Sequence, residues 1–276
     1  MGLMSFINDI EREYGKATIV ERIIYINVAL FLIMLFAKSF STNWFTLASS
    51  SNVFTSKPWT IFTYGFFHSN FPHILFNLIF LYYIGNLFLN FFTKKQFLNY
   101  YFLGILFGGI AFLILNPGGY LIGASAGLMA ILVGVATKIP SYEIRFNLIG
   151  GVKLWIIAAI YISISIIGLE SRNSGGNMAH LGGALVGFIY TKQLEKGNDI
   201  GKVLEGIIGF FINLLKPKEK NTLRTVHKKT NAKRKPTVKE SNVKQKQIDS
   251  ILDKISKSGY ESLNKKEKDF LFKSGK

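Results

Sequence analysis

Five polar residues stand in or beside strongly apolar segments, where a polar side chain is costly and therefore points to function. They are His68, His73, Asn77, Ser125 and His180. A hydroxyl, imidazoles and an amide can build a serine nucleophile with a histidine base, or a histidine-ligated metal site. The surrounding sequence must discriminate between these two chemistries.

Ser125 lies at the start of a predicted helix, after a Pro-Gly-Gly loop at residues 117–119 and before an apolar run to Ala136. A hydroxyl at a helix N-terminus has free backbone N–H groups beside it, which can stabilise an oxyanion. The run is shorter than the roughly 20 residues that a spanning helix needs, so we expect Ser125 to lie below the membrane surface. Residues 116–123 would then line an enclosed, wet site.

A purely structural role for the same serine stays open at this point. Ala126, Ala130 and Gly134 recur every four residues and predict a face that packs closely against another helix. Ser125 would then be one more small residue in a helix contact.

The histidines favour a serine site over a metal site. His73 and Asn77 are four residues apart and share one helix face, whereas the spacing of His68 and His73 is not that of a helical zinc pair. Residues 22–142 contain no Asp or Glu, so a zinc hydrolase would lack its usual carboxylate base, and a proton-coupled transporter its buried carboxylate. A metal- or proton-dependent transporter is therefore the weaker alternative.

Composition separates a membrane part from a basic tail. The 276 residues are 49% hydrophobic and carry a formal charge of +17. Residues 216–247 alone hold 12 Lys or Arg against 2 Asp or Glu. The chain has no cysteine, which excludes disulfides, thiol catalysis and thiolate metal sites.

The apolar segments predict an all-α membrane protein with six spanning helices. The segments are residues 23–37, 73–92, 97–115, 125–136, 152–168 and 177–194. A long aromatic connection at residues 39–72 predicts a structured loop that lies partly in the membrane interface.

Five regions follow from these patterns. We predict an amphipathic segment (1–17), the six-helix membrane domain (18–196), an interfacial amphipathic helix (197–215), a disordered basic linker (216–247) and a small helical hairpin (248–276). In the hairpin, Gly259 predicts a helix stop, and Asn264 with Glu267 predicts a capping box. We expect the basic tail to lie near anionic lipid headgroups and expect no nucleic acid.

Loop charges predict the orientation in the cell membrane. Two connections carry basic residues, whereas residues 116–123 carry none and residues 169–177 carry only Arg172. The basic loop residues are Lys94, Lys95, Lys138, Arg145 and Lys153. The positive-inside rule then predicts a multi-pass protein with both termini cytoplasmic and Ser125 opening toward the outside.

The order and spacing of the polar residues resemble the bacterial rhomboid intramembrane serine proteases, over residues 20–195. The motifs are His68-x4-His73-x3-Asn77 entering the second helix, Gly123-Ala124-Ser125-Ala126 opening the fourth, and Ala179-His180-x2-Gly183-x3-Gly187 on the sixth. The C-terminal hairpin also looks like an extension of some bacterial members.

The resemblance implies a rhomboid-like bundle in which Ser125 is the nucleophile and His180 the general base. The implied oxyanion site comprises His68, His73, Asn77 and Ser125. The implied helix-packing residues are Gly123, Gly127, Gly183 and Gly187. The implied reaction is hydrolysis of peptide bonds in or near the transmembrane helices of membrane-protein substrates, without cofactor or metal. A catalytically inactive rhomboid-like binding protein is the alternative.

Three residues depart from the pattern of that family. Ala126 follows the serine where glycine is frequent, and Met129 stands where an aromatic residue often stacks on the histidine. Trp59-Thr60 replaces a frequent Trp-Arg pair in the first loop, which concerns loop anchoring more than chemistry.

Overall fold

The computed structural model describes residues 3–115, 118–146, 150–215 and 238–274. The chain divides into two compact units, Met1–Lys216 and Pro217–Lys276. Nearly all of the secondary structure in the described ranges is α-helical.

The first unit contains eleven of the described helices and four short strands. In chain order they are α1 (Leu3–Lys16), α2 (Ile19–Phe36), α3 (Lys38–Phe45), β1 (Leu47–Ala48), α4 (Ser51–Ser56), α5 (Thr60–Thr63), α6 (Phe71–Leu89), α7 (Lys94–Leu115), β2 (Tyr120–Leu121), α8 (Ser125–Lys138), β3 (Glu143–Phe146), β4 (Gly150–Lys153), α9 (Leu154–Ile167), α10 (Ser174–Glu195) and α11 (Gly201–Leu215). Single 3-10 turns follow α5 and α9 at Tyr64–Phe66 and Gly168–Glu170.

Among the described residues, three helices are long and apolar enough to cross a membrane, namely α2, α6 and α7. Two shorter apolar helices, Ser125–Lys138 and Leu154–Glu170, accompany them. The predicted all-α membrane bundle is therefore confirmed, while the count of six spans stays a prediction.

Side-chain caps set where the first two long helices begin. The Thr18 hydroxyl accepts from the Glu21 backbone N–H at 3.2 Å, and the Thr18 N–H donates to the Glu21 carboxylate at 2.7 Å. This capping box starts α2 before residue 23, the predicted start. Asn70 caps α6 by accepting from the backbone N–H of His73 at 2.9 Å, so α6 likewise begins before its predicted start at residue 73.

Helix α8 lies at the centre of the bundle, and every residue from Ala126 to Ala136 is buried. Two neighbours touch its backbone at glycines. A Cβ at Gly104 of α7 would lie 2.8 Å from the Ala126 carbonyl oxygen. A Cβ at Gly183 or Gly187 of α10 would overlap the carbonyl oxygen of Ala126 or Ala130. Small residues thus let α7, α8 and α10 pack at backbone distance.

The aromatic connection between α2 and α6 is structured. Trp59 stacks on Trp44 with ring centroids 6.0 Å apart and donates to the Trp44 carbonyl at 2.8 Å. The Lys57 ammonium lies 4.9 Å above the Trp44 ring. A cation is therefore present beside this tryptophan pair, even though threonine and not arginine follows Trp59. Sequence patterns did not predict strand β1, which pairs with β2 through Leu47 and Leu121.

A β-hairpin, also unpredicted, joins α8 to α9. Strands β3 and β4 pair antiparallel, with Glu143 opposite Lys153. The sequence patterns predict a connection before residue 152 and the fifth helix from there on. Helix α9 instead begins at Leu154.

Helix α11 packs on the bundle through polar groups. The Asn99 amide on α7 donates to the Glu205 carboxylate at 2.9 Å and to the Tyr190 hydroxyl at 3.3 Å. Tyr190 in turn donates to Asp199 at 2.6 Å. Glu205 on the predicted interfacial helix therefore binds a buried asparagine of the bundle.

The second unit contains α12 (Val238–Ser258) and α13 (Lys265–Ser274). Helix α12 begins before the predicted start at residue 248, so the prediction of disorder is wrong for residues 238–247. That stretch is rich in Lys, Glu and Gln, which have high helix propensity, and Gln245 donates to Asp249 one turn later. Residues 216–237 of the predicted linker lie outside the described residues.

Both turn signals of the second unit have a structural counterpart. Gly259, just after α12, adopts φ +76°. Asn264 and Glu267 exchange capping-box hydrogen bonds of 2.8 and 2.9 Å. Glu267 also pairs with Lys254 at 3.0 Å, which joins the two helices.

Replacing Gly187 by alanine is expected to destabilise the membrane unit by about 1–3 kcal/mol, because the new Cβ overlaps the Ala130 backbone. Reversible unfolding in detergent measures the change. Gly206→Ala is the matched control, since nothing lies within 4 Å of a Cβ there and the helix should gain about 0.5–1 kcal/mol. Equal effects of the two substitutions would contradict close packing of α8 and α10.

Candidate active site

Ser125 is the first residue of α8, and the backbone there offers unpaired donors. The first intrahelical bond of this end runs from the Leu128 N–H to the Ala124 carbonyl at 3.2 Å. The N–H groups of Ser125, Ala126 and Gly127 therefore have no acceptor within the helix. They lie at the positive end of the helix dipole, next to the Ser125 hydroxyl.

His180 meets Ser125 from the facing helix. The His180 Nε2 lies 2.7 Å from the Ser125 Oγ. This approach depends on Gly183, one turn later on α10, whose missing side chain lets α10 contact the α8 backbone at Ala126. The pair has the geometry of a nucleophile and its general base.

A second hydroxyl, that of Ser165, contacts the other nitrogen of the same imidazole. Ser165 of α9 is 1% exposed, and its Oγ lies 3.2 Å from the His180 Nδ1. Its own proton is donated to the Tyr161 carbonyl at 2.9 Å. Both ring nitrogens of His180 are thus hydrogen-bonded.

Gly123 and His73 lie together beside the serine. Gly123 adopts φ +126°, a conformation that a side chain disfavours, and a Cβ there would lie 2.7 Å from the His73 Nε2. The Gly123 N–H donates to the Tyr64 carbonyl at 3.0 Å, which ties this turn to the first loop. Ser69 contacts the His73 Nδ1 at 3.1 Å, so the Nε2 side of the ring is directed toward Gly123.

Asn77 lines a small cavity with the serine and the histidine. One amide N–H of Asn77 donates to the His73 carbonyl at 2.7 Å, which leaves its second N–H for the cavity. The cavity has a volume of about 130 Å³. It is lined by Phe76, Asn77, Phe80, Ser125, Leu128, Met129, Tyr161 and His180.

His68 does not line this cavity. Its ring is fully buried and contacts the His73 ring edge to face, with centroids 5.0 Å apart. Burial, with a smaller contribution from His73, lowers the pKa of His68 to about 3, so this imidazole is neutral at physiological pH. The structure thus places His68 as a support of His73.

The histidines do not converge on one point. His68 and His73 contact each other, whereas His180 is hydrogen-bonded to two serines. Within the described ranges, no group of three His, Cys, Asp or Glu side chains is arranged to hold a metal ion.

A large apolar groove of about 1020 Å³ runs between α6 and α9. Phe76, Phe80 and Tyr161 line both this groove and the small cavity. The rings of Phe80 and Tyr161 touch across it, with centroids 5.1 Å apart. These two rings therefore lie between the Ser125 cavity and the groove.

Sequence reasoning missed Ser165 and Tyr64. A serine in the isoleucine-rich α9 costs little in a membrane, so it does not stand out as an ionisable residue does. Tyr64 is buried and donates to the Ile105 carbonyl at 2.6 Å while its own carbonyl holds Gly123. The aromatic richness of the first loop was the available signal for Tyr64.

The remaining predicted packing residue and the departures from the motif pattern have clear positions. Gly127 lies against Tyr101 of α7, where a Cβ would be 2.9 Å from its ring. Met129 is 2% exposed and forms a wall of the cavity. The Ala126 methyl group lies against Gly108 of α7, where a side chain would overlap it. The absence of a side chain at Gly108 therefore leaves room for this methyl group between α7 and α10.

Comparison with known proteins agrees with the resemblance seen in the motifs. A family described as the Rhomboid domain matches residues 55–196. A second family, of unknown function (DUF6576), matches residues 224–273, across the basic tail and the second unit.

Two curated relatives are similar to this chain. Rhomboid-like protease 3 of Toxoplasma gondii is 24% identical over 147 residues, which cover 50% of this chain and 53% of the relative. Inactive rhomboid-related protein 2 of Caenorhabditis elegans is 27% identical over 165 residues, covering 57% and 46%. The chain spans about half the length of both relatives. Because the Rhomboid domain match covers half of the chain and includes all five polar residues singled out from its sequence, the chain belongs to the rhomboid family.

Proposed function

We propose that this protein is an intramembrane serine protease that hydrolyses peptide bonds in or near the transmembrane helices of other membrane proteins. The hydrogen bond between the Ser125 Oγ and the His180 Nε2, at 2.7 Å, carries the proposal. It supports a nucleophile with its own base at the start of a buried helix.

The reaction follows from these two groups. Ser125 Oγ attacks the carbonyl carbon of the substrate while its proton passes to His180 Nε2. His180 then gives this proton to the leaving amine, and an acyl-enzyme remains on Ser125. Water attacks the acyl-enzyme, its proton passes to His180, and Ser125 recovers the proton when the acid product leaves.

Charge on the attacked carbonyl oxygen needs hydrogen-bond donors, and three parts of the site can supply them. The free N–H groups at the start of α8 lie beside the Ser125 hydroxyl. The His73 Nε2 approaches Gly123, and the second Asn77 N–H is available to the cavity. Because these donors are held by the fold before substrate binds, they can stabilise the oxyanion without reorganisation. His68 contributes indirectly, as a neutral support of His73.

The groove between α6 and α9 supports membrane proteins as substrates. It is lined mainly by aromatic and aliphatic side chains and is large enough for a transmembrane segment to enter in part. Displacing the Phe80 and Tyr161 rings would connect it to the Ser125 cavity. We also propose that the basic tail lies near anionic lipid headgroups.

A non-catalytic rhomboid-like protein is the second candidate, because one relative is named inactive. The two candidates differ in whether Ser125 is activated. A fluorophosphonate probe becomes covalently attached only to an activated serine, so labelling that disappears in Ser125→Ala supports the protease. Absence of labelling in the folded wild-type protein supports the binding protein.

Ser125→Ala and His180→Ala are each expected to abolish cleavage of a transmembrane substrate in proteoliposomes. The serine and the histidine act as one unit, so the double variant should be no worse than either single variant. Ser163→Ala is the control, since Ser163 is exposed on α9 and does not line the cavity. Cleavage that survives in Ser125→Ala, or that a zinc chelator removes in the wild type, would overturn this mechanism.

Asn77→Ala is expected to slow cleavage without abolishing it. Loss of one oxyanion donor typically costs about 2.7–4 kcal/mol, or roughly 10²–10³ in kcat, while the other donors still act. Asn86→Ala is a closely matched control on the same helix, because Asn86 makes the same 2.7 Å bond to the carbonyl four residues earlier. Equal kcat values for the two variants would show that Asn77 is not an oxyanion donor.

The proposed orientation in the cell membrane places both termini in the cytoplasm and Arg172 outside. Lys94 and Arg172 are both exposed, and the chain has no cysteine of its own. A cysteine at position 172 should therefore react with an impermeant maleimide in intact cells, while one at position 94 should react only after lysis. Labelling of position 94 in intact cells would show that the proposed orientation is wrong.

A further inference from the structure

Ser165 has the environment of a group that orients the histidine. It lies on α9, is 1% exposed, and contacts the His180 Nδ1 at 3.2 Å. Its neighbour on the same helix, Ser163, is exposed and lacks this contact. The two serines therefore differ in burial and in access to His180, although the same helix carries both.

The direction of the Ser165 hydrogen bonds follows from proton counting. A hydroxyl has one proton, and the Ser165 proton is donated to the Tyr161 carbonyl at 2.9 Å. In that arrangement the Ser165 oxygen accepts a hydrogen bond from His180, so the Nδ1 of His180 carries the ring proton and Nε2 has none.

This protonation pattern is the one that Ser125 requires. An unprotonated Nε2 accepts the Ser125 proton across 2.7 Å, whereas a ring protonated at Nε2 cannot act as a base toward that hydroxyl. Among the hydrogen bonds of the described residues, Ser165 is the partner of His180 Nδ1. No carboxylate occupies that position, so a neutral hydroxyl performs the orienting role.

We propose that Ser165 is a positioning residue that holds His180 in the Nδ1–H tautomer and so prepares Nε2 to accept the Ser125 proton. Its effect on cleavage rests on the proposed protease function, whereas its effect on the tautomer does not. Tyr161 lines the groove, and its carbonyl accepts the hydrogen bond of the Ser165 hydroxyl. The orientation of His180 therefore depends on the position of α9 in the bundle.

Kinetics of three variants test the catalytic part. Ser165→Val is expected to lower kcat about tenfold, the change that corresponds to one neutral hydrogen bond, with KM unchanged. Ser165→Thr keeps the hydroxyl in nearly the same shape as valine and should restore kcat. Ser163→Val, an equal change at an exposed position of α9, should match the wild type. A Ser165→Thr enzyme as slow as Ser165→Val, or a Ser165→Val enzyme as fast as the wild type, would overturn the proposal.

Nitrogen-15 NMR of the histidine side chains tests the tautomer without any substrate. The chain has four histidines, and His180→Ala assigns the signal of His180 in detergent micelles. We expect a proton on Nδ1 in the wild type and in Ser165→Thr, and its loss or averaging between both nitrogens in Ser165→Val. A proton on Nε2 in the wild type would overturn the proposal. An Nδ1 proton in a protein that never cleaves would contradict the protease and leave the role of Ser165 standing.

Discussion

Direct backbone contact between α8 and α10 is the constraint on which the candidate site depends. Gly183 and Gly187 leave no side chain between the two helices, so the carbonyl oxygens of Ala126 and Ala130 face α10 directly. In a bilayer, lipid competes equally for apolar surface, and close packing of small residues becomes the main attraction between helices. Any larger residue here would separate the helix that carries Ser125 from the helix that carries His180.

The residues around the site enclose the N-terminal end of α8 within the protein. A helix that begins below the membrane surface leaves backbone donors that need partners or a wet cavity. The first loop contributes to this through strand β1, which pairs with β2, and through Tyr64, whose carbonyl binds the Gly123 N–H. The Tyr64 hydroxyl also binds the Ile105 carbonyl, so the same residue connects loop, α7 and site. The loop is thereby held by its own contacts, and the N–H groups beside Ser125 are left free.

Helix α9 has one exposed face and one face that contacts the groove and the candidate site. Several of its side chains face away from the protein, including Ile160, Ile164 and Ile167. Its inner face nevertheless meets the groove through Tyr161 and the histidine through Ser165. In our proposals, access of a substrate and orientation of the general base therefore depend on the same helix, because one side of α9 carries both contacts.

Local signals in the sequence are sufficient to predict most of the membrane helices and the candidate catalytic pair. Apolar runs marked the helices of the membrane unit to within a few residues, because burial in lipid needs long uncharged segments. Intramembrane polar residues are rare, so Ser125 and His180 stood out from their neighbours without a structure. The family followed from the spacing of the same residues. Signals for caps, such as Asn264 with Glu267, are also local and could be read directly.

Tertiary structure alone decided which of these residues meet. No local pattern pairs β1 with β2, since these strands are far apart in the sequence and meet only through the packing of distant segments. The separation of His68 from the cavity and the contact of Ser165 with His180 likewise depend on how the helices pack against one another. A serine among isoleucines carries no signal by itself, because its hydroxyl can always bond the carbonyl four residues earlier, as Ser165 does with Tyr161. Its second bond exists only because α9 and α10 pack side by side.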